Sequence, residues 1–66
     1  MKYNLVGVNG NAFAVMGYVG NAMKKEGKSQ EDVKKYYDDA QSGDYNNLLA
    51  VSSDMVDKLN ASALED

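Results

Sequence analysis

The sequence contains no cysteine, histidine, arginine, tryptophan or proline. Without cysteine the chain can form neither a disulfide nor a zinc–thiolate site, and it has no thiolate nucleophile. Without histidine it lacks the commonest general base and a common metal ligand. Without arginine it lacks the side chain that clamps phosphates and guanine bases through two hydrogen bonds. We therefore expect no enzymatic activity, no cofactor and no metal site.

The chain is also short. Its 66 residues have a mass of 7.2 kDa and are 44% hydrophobic, which is ordinary for a folded protein. A domain of about 60 residues buries only about 60% of its unfolded surface and has a small net stability. Without a disulfide or an evident set of metal ligands, that stability has to come from helix packing or from self-association.

Charge is divided unevenly along the chain. Residues 1–28 carry a net charge of +3 and residues 29–66 carry −6, which gives −3 in total. The acidic second part disfavours a nucleic-acid partner, because binding to phosphates needs clustered cations. No apolar run approaches the roughly 18 residues of a membrane span, and the first residues lack the apolar stretch of a signal peptide. We therefore expect a cytoplasmic protein with no membrane association.

The N-terminal residues predict a short strand. In an extended chain over residues 2–8, one side carries Tyr3, Leu5 and Gly7 and the other carries Asn4, Val6 and Val8. A lone strand has no partner in its own chain, so its backbone groups need another solution. Three solutions are open: the segment lies on the helices as extended coil, it pairs with the same segment of a second copy in a homodimer, or it adds to the sheet of another protein.

Apolar periodicity predicts three helices, over residues 12–26, 30–41 and 45–60. The short connections between them are typical of neighbouring helices in a small bundle. The predicted fold is mainly α, a small three-helix domain with a short N-terminal extended or β segment, in the order β-α-α-α. Residues 1–60 form this single domain, and residues 61–66 are expected to be a frayed tail.

Capping residues and glycines add detail to the helices. Asn11, Ser29 and Asp44 each stand at a predicted N-cap. Gly17 and Gly20 lie inside the first predicted helix, where each costs about 1 kcal/mol relative to alanine. We therefore expect another element to approach the helix backbone closely in this region.

The loop before the first helix is a candidate anion-binding site. Its candidate residues are Gly7, Asn9, Gly10 and Asn11, because glycines let backbone N–H groups approach a ligand and a helix N-terminus favours anions. The loop matches neither the P-loop nor the GxGxxG pattern. A tight turn with an asparagine cap is the preferred interpretation, and a small-ligand or anion site over residues 7–12 is the alternative.

Acidic residues invite two further interpretations, and neither pattern matches well. A calcium loop beginning at Asp38 would have Leu49 at its twelfth position, where a bidentate Glu is required. The pair Asp54 and Asp57 lies on a predicted polar helix face, where nothing would shift a carboxyl pKa towards catalysis. The acids of the second part also allow a weaker alternative, in which the chain imitates nucleic acid.

The sequence has five tyrosines. Tyrosine covers the edges of a core with its hydroxyl in water, and it is also enriched in protein interfaces. A role in the core is the preferred interpretation. For binding another protein, the candidate interaction residues are Tyr36 and Tyr37 on the second helix and Tyr3 and Leu5 on the N-terminal segment.

Two stretches of the chain are distinctive: GNAFAVMG over residues 10–17 and SGDYNNLL over residues 42–49. With them, the chain resembles a family of short uncharacterised bacterial and bacteriophage proteins over most of residues 5–56. The resemblance implies one compact fold and an origin in a phage or another mobile element, and it implies no assigned activity. The small size, the acidity and the unpaired strand favour a non-catalytic protein-interaction or regulatory module.

Overall fold

Three α-helices build the fold. The computed structural model describes the backbone of residues 2–65 and the side chains of residues 2–62. Helix α1 spans Ala12–Lys25, α2 spans Gln30–Ala40 and α3 spans Tyr45–Glu65. No strand occurs among the described residues, so the prediction of a mainly α fold is confirmed and the predicted β element is corrected.

Helix α3 continues beyond its predicted end at residue 60. Residues 61–65 contain alanine, leucine and glutamate, which favour a helix, and no glycine or proline that would end it. Of the tail predicted over residues 61–66, residues 61–65 are therefore helical, and residue 66 lies outside the described residues. Asn60 is buried, so the last part of α3 contributes to the packing.

Side-chain caps begin each helix at the predicted positions. Asn11, Ser29 and Asp44 each accept a hydrogen bond from a backbone N–H of the first turn, at 2.8, 3.1 and 2.9 Å. After α1, Gly27 takes a left-handed conformation with φ +83°, and the N–H of the next residue donates to the Met23 carbonyl at 3.0 Å. This is a Schellman motif, which satisfies carbonyls that the helix end leaves open.

The hydrophobic core lies where the three helices meet, and every pair of helices is in contact. Its apolar members are Tyr3, Val15, Met16, Val19, Ala22, Met23, Val33, Tyr36, Ala40, Leu48, Val56 and Leu59. Over residues 2–65, no helix combines the length and the apolar character needed to cross a membrane.

Helices α1 and α3 run in the same direction, and α2 runs back between them. Gly10, just before α1, accepts a hydrogen bond from the hydroxyl of Tyr45, the first residue of α3. At the opposite end, Tyr3 contacts both Glu26, just after α1, and Asn60, near the end of α3. The N-terminal segment therefore runs back along α1 and α3 and covers the side on which they meet.

The backbone of this segment is held by a side chain of α3 instead of a neighbouring strand. The Asn60 amide oxygen accepts a hydrogen bond from the Tyr3 N–H at 2.8 Å, and the Asn60 amide nitrogen donates to the Tyr3 carbonyl at 2.9 Å. A paired strand supplies the same two bonds to a residue in a ladder. One buried asparagine thus replaces the missing strand partner at the residue that enters the core.

Other N–H groups of the segment also have partners within the chain. The N–H of Asn4 donates to the Tyr18 hydroxyl at 2.9 Å, and that of Val6 donates to the Asn4 side chain at 2.9 Å. The N–H of Val8 donates to the Leu5 carbonyl at 3.1 Å and closes a turn in which Gly7 has φ +89°. The segment is therefore extended coil lying on the helices, the first of the three solutions open from the sequence.

Helices α1 and α2 approach each other closely at Gly20, inside the region where the sequence predicts such an approach. A Cβ added to Gly20 would stand 3.0 Å from Cζ of Tyr37 and would collide with its hydroxyl. A Cβ added to Gly17 would have nothing within 4 Å. Position 20 therefore has to be a glycine, because the Tyr37 ring lies against it. The packing does not require a glycine at position 17.

We expect the two glycines to respond oppositely to alanine. Gly17→Ala should stabilise the domain by about 1 kcal/mol, because alanine favours the helix and meets no neighbour. Gly20→Ala should destabilise it by about 1 kcal/mol or more, because the new methyl displaces Tyr37. Urea unfolding of both variants beside the wild type measures the difference, and equal stabilities would contradict the close approach.

Removal of the Asn60 amide should weaken the fold. Asn60→Ala leaves the buried N–H and carbonyl of Tyr3 without partners, so we expect a loss of about 2–3 kcal/mol in the free energy of unfolding. Asn21→Ala is the matched control, since Asn21 is an exposed helix residue and gains the same helix propensity. A loss that is equal in the two variants would show that the amide does not hold the segment.

Candidate functional site: the groove beside Phe13

Phe13 has the largest exposed fraction of the aromatic side chains that the structure describes. It is the second residue of α1 and is 78% exposed. The buried apolar residues of α1 face α2 and α3. Phe13 lies at the edge of this apolar face, where neither helix covers it. Exposed apolar surface beside a groove is typical of a binding site.

A shallow groove lies beside Phe13. It consists of two adjoining depressions with volumes of about 290 and 240 Å³, which share Phe13, Met16 and Gln41 as walls. We call the two together the Phe13 groove. Its full lining is Ala12, Phe13, Met16, Gly17, Tyr37, Ala40, Gln41, Gly43, Asp44, Tyr45 and Leu48.

Hydrogen bonds fix the α2–α3 connection that forms one wall of the groove. The side chains of Ser42 and Asn47 both donate to the carbonyl of Asp39, at 2.7 and 3.0 Å. The hydroxyl of Tyr45 ties the start of α3 to Gly10. This wall is therefore already ordered in the free protein, which reduces the conformational entropy lost on binding.

The two distinctive stretches of the sequence, residues 10–17 and 42–49, meet at this groove. Residues 10–17 supply its α1 side and residues 42–49 supply its α3 side. The remaining lining residues come from the end of α2. Charge is sparse: Asp44 is the one carboxylate among the described lining residues, and no lysine is present among them.

The four candidate interaction residues occupy different environments. Tyr3 and Tyr36 are core residues, only 7% and 2% exposed, so their side chains cannot face a partner in this fold. Leu5 is half-buried against the core. Tyr37 is half-buried and lines the Phe13 groove. The exposure of Phe13 was not predicted from the sequence, because it depends on how the three helices pack.

The hydroxyl of Tyr36 is satisfied inside the core. It shares a hydrogen bond of 2.6 Å with Ser52 of α3, which is fully buried. Burial raises the pKa of the Tyr36 hydroxyl. This pair links α2 to α3 through polar atoms and leaves neither hydroxyl open to chemistry.

The candidate anion loop acts as a turn and a cap. The Asn11 side chain accepts from the N–H of Phe13, and the Asn9 side chain accepts from the N–H of Asn11 at 2.9 Å. The Gly10 carbonyl is bonded to Tyr45, and Gly7 takes the positive φ of the preceding turn. Two of the N–H groups that an anion would need are therefore already used within the chain.

A second depression, of about 330 Å³, lies between α2 and α3. Its charged lining residues are Lys28, Asp32, Lys35, Asp39, Asp54 and Lys58. Lys58 pairs with Asp54 at 3.1 Å on an exposed helix face. The mixed charges and the exposure of this surface are typical of a solvated helix pair. Among the residues that the structure describes, no group of acids could hold a metal ion.

An ionic cluster fastens the start of the chain to the end of α1. One oxygen of Glu26 accepts from Lys2 at 2.8 Å and from the Tyr3 hydroxyl at 2.6 Å, and the Glu26 side chain is 9% exposed. The bond from Lys2, and then that from Tyr3, lower the pKa of the Glu26 carboxyl. The bond to Glu26, together with burial, raises the pKa of the Tyr3 hydroxyl.

Comparison with known proteins returns no match, whether to a family model, to a curated protein or to a solved structure. The function therefore has to be inferred from the residues of this chain.

The Glu26 cluster predicts how stability responds to acid. The pKa of Glu26 is lowered on folding, so its stabilising effect is complete above the ordinary glutamate pKa of about 4.3 and is lost as the pH falls below that value. Glu26→Gln should therefore be less stable than the wild type at pH 7, and the difference should shrink towards pH 3. Urea unfolding at both pH values tests this. A difference that stays constant would show that the carboxylate charge is not involved.

Proposed function

We propose that this chain is a non-catalytic protein-interaction module that docks a partner through the Phe13 groove. The observation that carries the proposal is the 78% exposure of Phe13 beside a preformed groove. At the exposures observed, Phe13 and Tyr45 together present on the order of 250 Å² to solvent. The largest apolar patch of a typical monomer measures about 300–600 Å² and is often functional.

Energetics support the same surface. Burial of a phenylalanine side chain against a partner contributes about 1.5–3 kcal/mol. Interfaces depend on a few such aromatic anchors, surrounded by contacts that exclude water. Met16, Tyr37 and Leu48 provide such surroundings, since they are partly or fully buried beside the ring.

The resemblance noted in the sequence fits this proposal. The two stretches on which it rests line the groove together, although they lie about 30 residues apart in the sequence. We propose that the chain belongs to that family of short bacterial and phage proteins and that it binds its partner through the Phe13 groove. A module of this size regulates by occupying a surface of another protein.

Site-specific photo-cross-linking tests the docking face. A benzoylphenylalanine at position 13 should form adducts of discrete mass in the expressing cell, because a partner covers the ring. The same probe at position 6 is the matched control, since Val6 is 85% exposed but does not line the groove. Absence of adducts at position 13, or an identical pattern at both positions, would overturn the proposal.

The exposed ring should matter little for folding. Phe13→Ala is expected to change the free energy of unfolding by no more than about 0.5 kcal/mol, because a surface substitution removes few packed contacts. Thermal unfolding of Phe13→Ala beside Val6→Ala measures this. A large loss of stability would place Phe13 in the packing and remove it from the docking face.

A further inference from the structure

We propose that the occupant of the Phe13 groove is a single amphipathic helix of another protein, with two apolar side chains straddling the Phe13 ring and no acidic side chain facing Asp44. This inference rests on the proposed function and names the partner's chemistry. It follows from the shape of the groove, from the state of its polar groups, from its area and from its charge.

The shape calls for two anchors. The two depressions share Phe13, Met16 and Gln41 and have similar volumes, about 290 and 240 Å³. Each volume is close to or below the lower end of the roughly 300–1,000 Å³ of sites that take a drug-sized ligand. Side chains at positions i and i+3 or i+4 of a helix lie about 5–6 Å apart on one face. A helix that lies across the groove therefore presents two neighbouring apolar side chains to these two adjoining depressions.

The polar groups of the groove favour a helix over an extended peptide. The Gln41 amide donates to the Tyr37 carbonyl at 3.1 Å, and the Tyr45 hydroxyl donates to Gly10. Both are therefore engaged within the chain. An extended peptide needs partners for its own backbone, whereas a helix satisfies its backbone internally. The described residues also contain no strand to which a peptide strand could add.

The area favours a segment over a folded partner. A stable complex between two folded proteins buries about 800 Å² on each side, roughly a fifth of the 4395 Å² total surface of this chain. The two exposed aromatic rings of the groove present on the order of 250 Å². Helix-in-groove recognition works at this scale, because a few apolar anchors on one helix face supply the contact.

Charge decides which helices fit. Asp44 lines the groove and no lysine does so. One oxygen of Asp44 accepts from the N–H of Asn47 at 2.9 Å as the cap of α3. A partner carboxylate beside this residue would face a like charge, which weakens binding. The contacting face of the partner helix is therefore neutral or basic.

A displayed library of 16-residue alanine-based helices, randomised along one face, provides the probe. Selection on the wild-type protein should enrich peptides with apolar residues at i and i+3 or i+4 and without Asp or Glu beside them. In fluorescence anisotropy, Phe13→Ala should weaken an enriched peptide about 30-fold, as expected for an anchor residue. Val6→Ala should leave its affinity unchanged.

Asp44→Asn tests the charge without removing the helix cap, because asparagine is an equally good N-cap. A peptide with one added Glu should bind the wild type several-fold more weakly than its parent, and Asp44→Asn should restore most of that loss. Equal binding of the Glu peptide to both proteins would overturn the charge requirement.

The remaining outcomes separate the two proposals. Enrichment of proline-rich or acidic peptides that still depend on Phe13 would overturn the helical partner and leave the docking face standing. Sedimentation that shows a wild-type dimer, converted to monomer by Phe13→Ala, would identify the occupant as a second copy and overturn this inference. Failure to enrich any peptide over a Phe13→Ala selection would overturn the helical partner, whereas absence of cross-linked adducts at position 13 would overturn the docking face.

Discussion

The two hydrogen bonds between the Asn60 side chain and the backbone of Tyr3 hold the N-terminal segment against the helices. This short chain has no disulfide, so its stability depends on how much apolar surface the fold buries. The N-terminal segment can contribute Tyr3, Leu5 and Val8 only if its backbone groups find partners. The amide of Asn60 supplies one donor and one acceptor at the residue that enters the core, and the segment can then lie along α1 and α3.

The position of this segment determines which surface stays open. The segment covers the side on which α1 and α3 meet, and α2 packs against both helices on another side. What remains is the end of the bundle where α1 and α3 begin and where α2 ends. Phe13 stands there, with Tyr37 and Tyr45 beside it. The proposed docking face therefore lies at this end of the bundle, where the end of α2 forms one of its walls.

Local features of the structure could be predicted from the sequence, and non-local ones could not. The caps at Asn11, Ser29 and Asp44 depend on bonds within a few residues, so the sequence contains all that is needed to predict them. The strand prediction for residues 2–8 failed because alternation reports which residues face the same side and gives no information about a partner. Tyr3 and Tyr36 were named as candidate interaction residues beside a preferred role in the core, because a tyrosine suits both a core edge and an interface.

The sequence by itself determined three helices, their starting points and a close approach near Gly20, because propensity, capping and periodicity act over short stretches of chain. Only the tertiary structure decided that Asn60 forms hydrogen bonds with Tyr3, 57 residues away in the sequence. It also decided that Phe13 is exposed and that Tyr36 is buried. Such outcomes depend on which helix faces meet. The residues that line the groove come from three helices, and their proximity exists only after those helices pack.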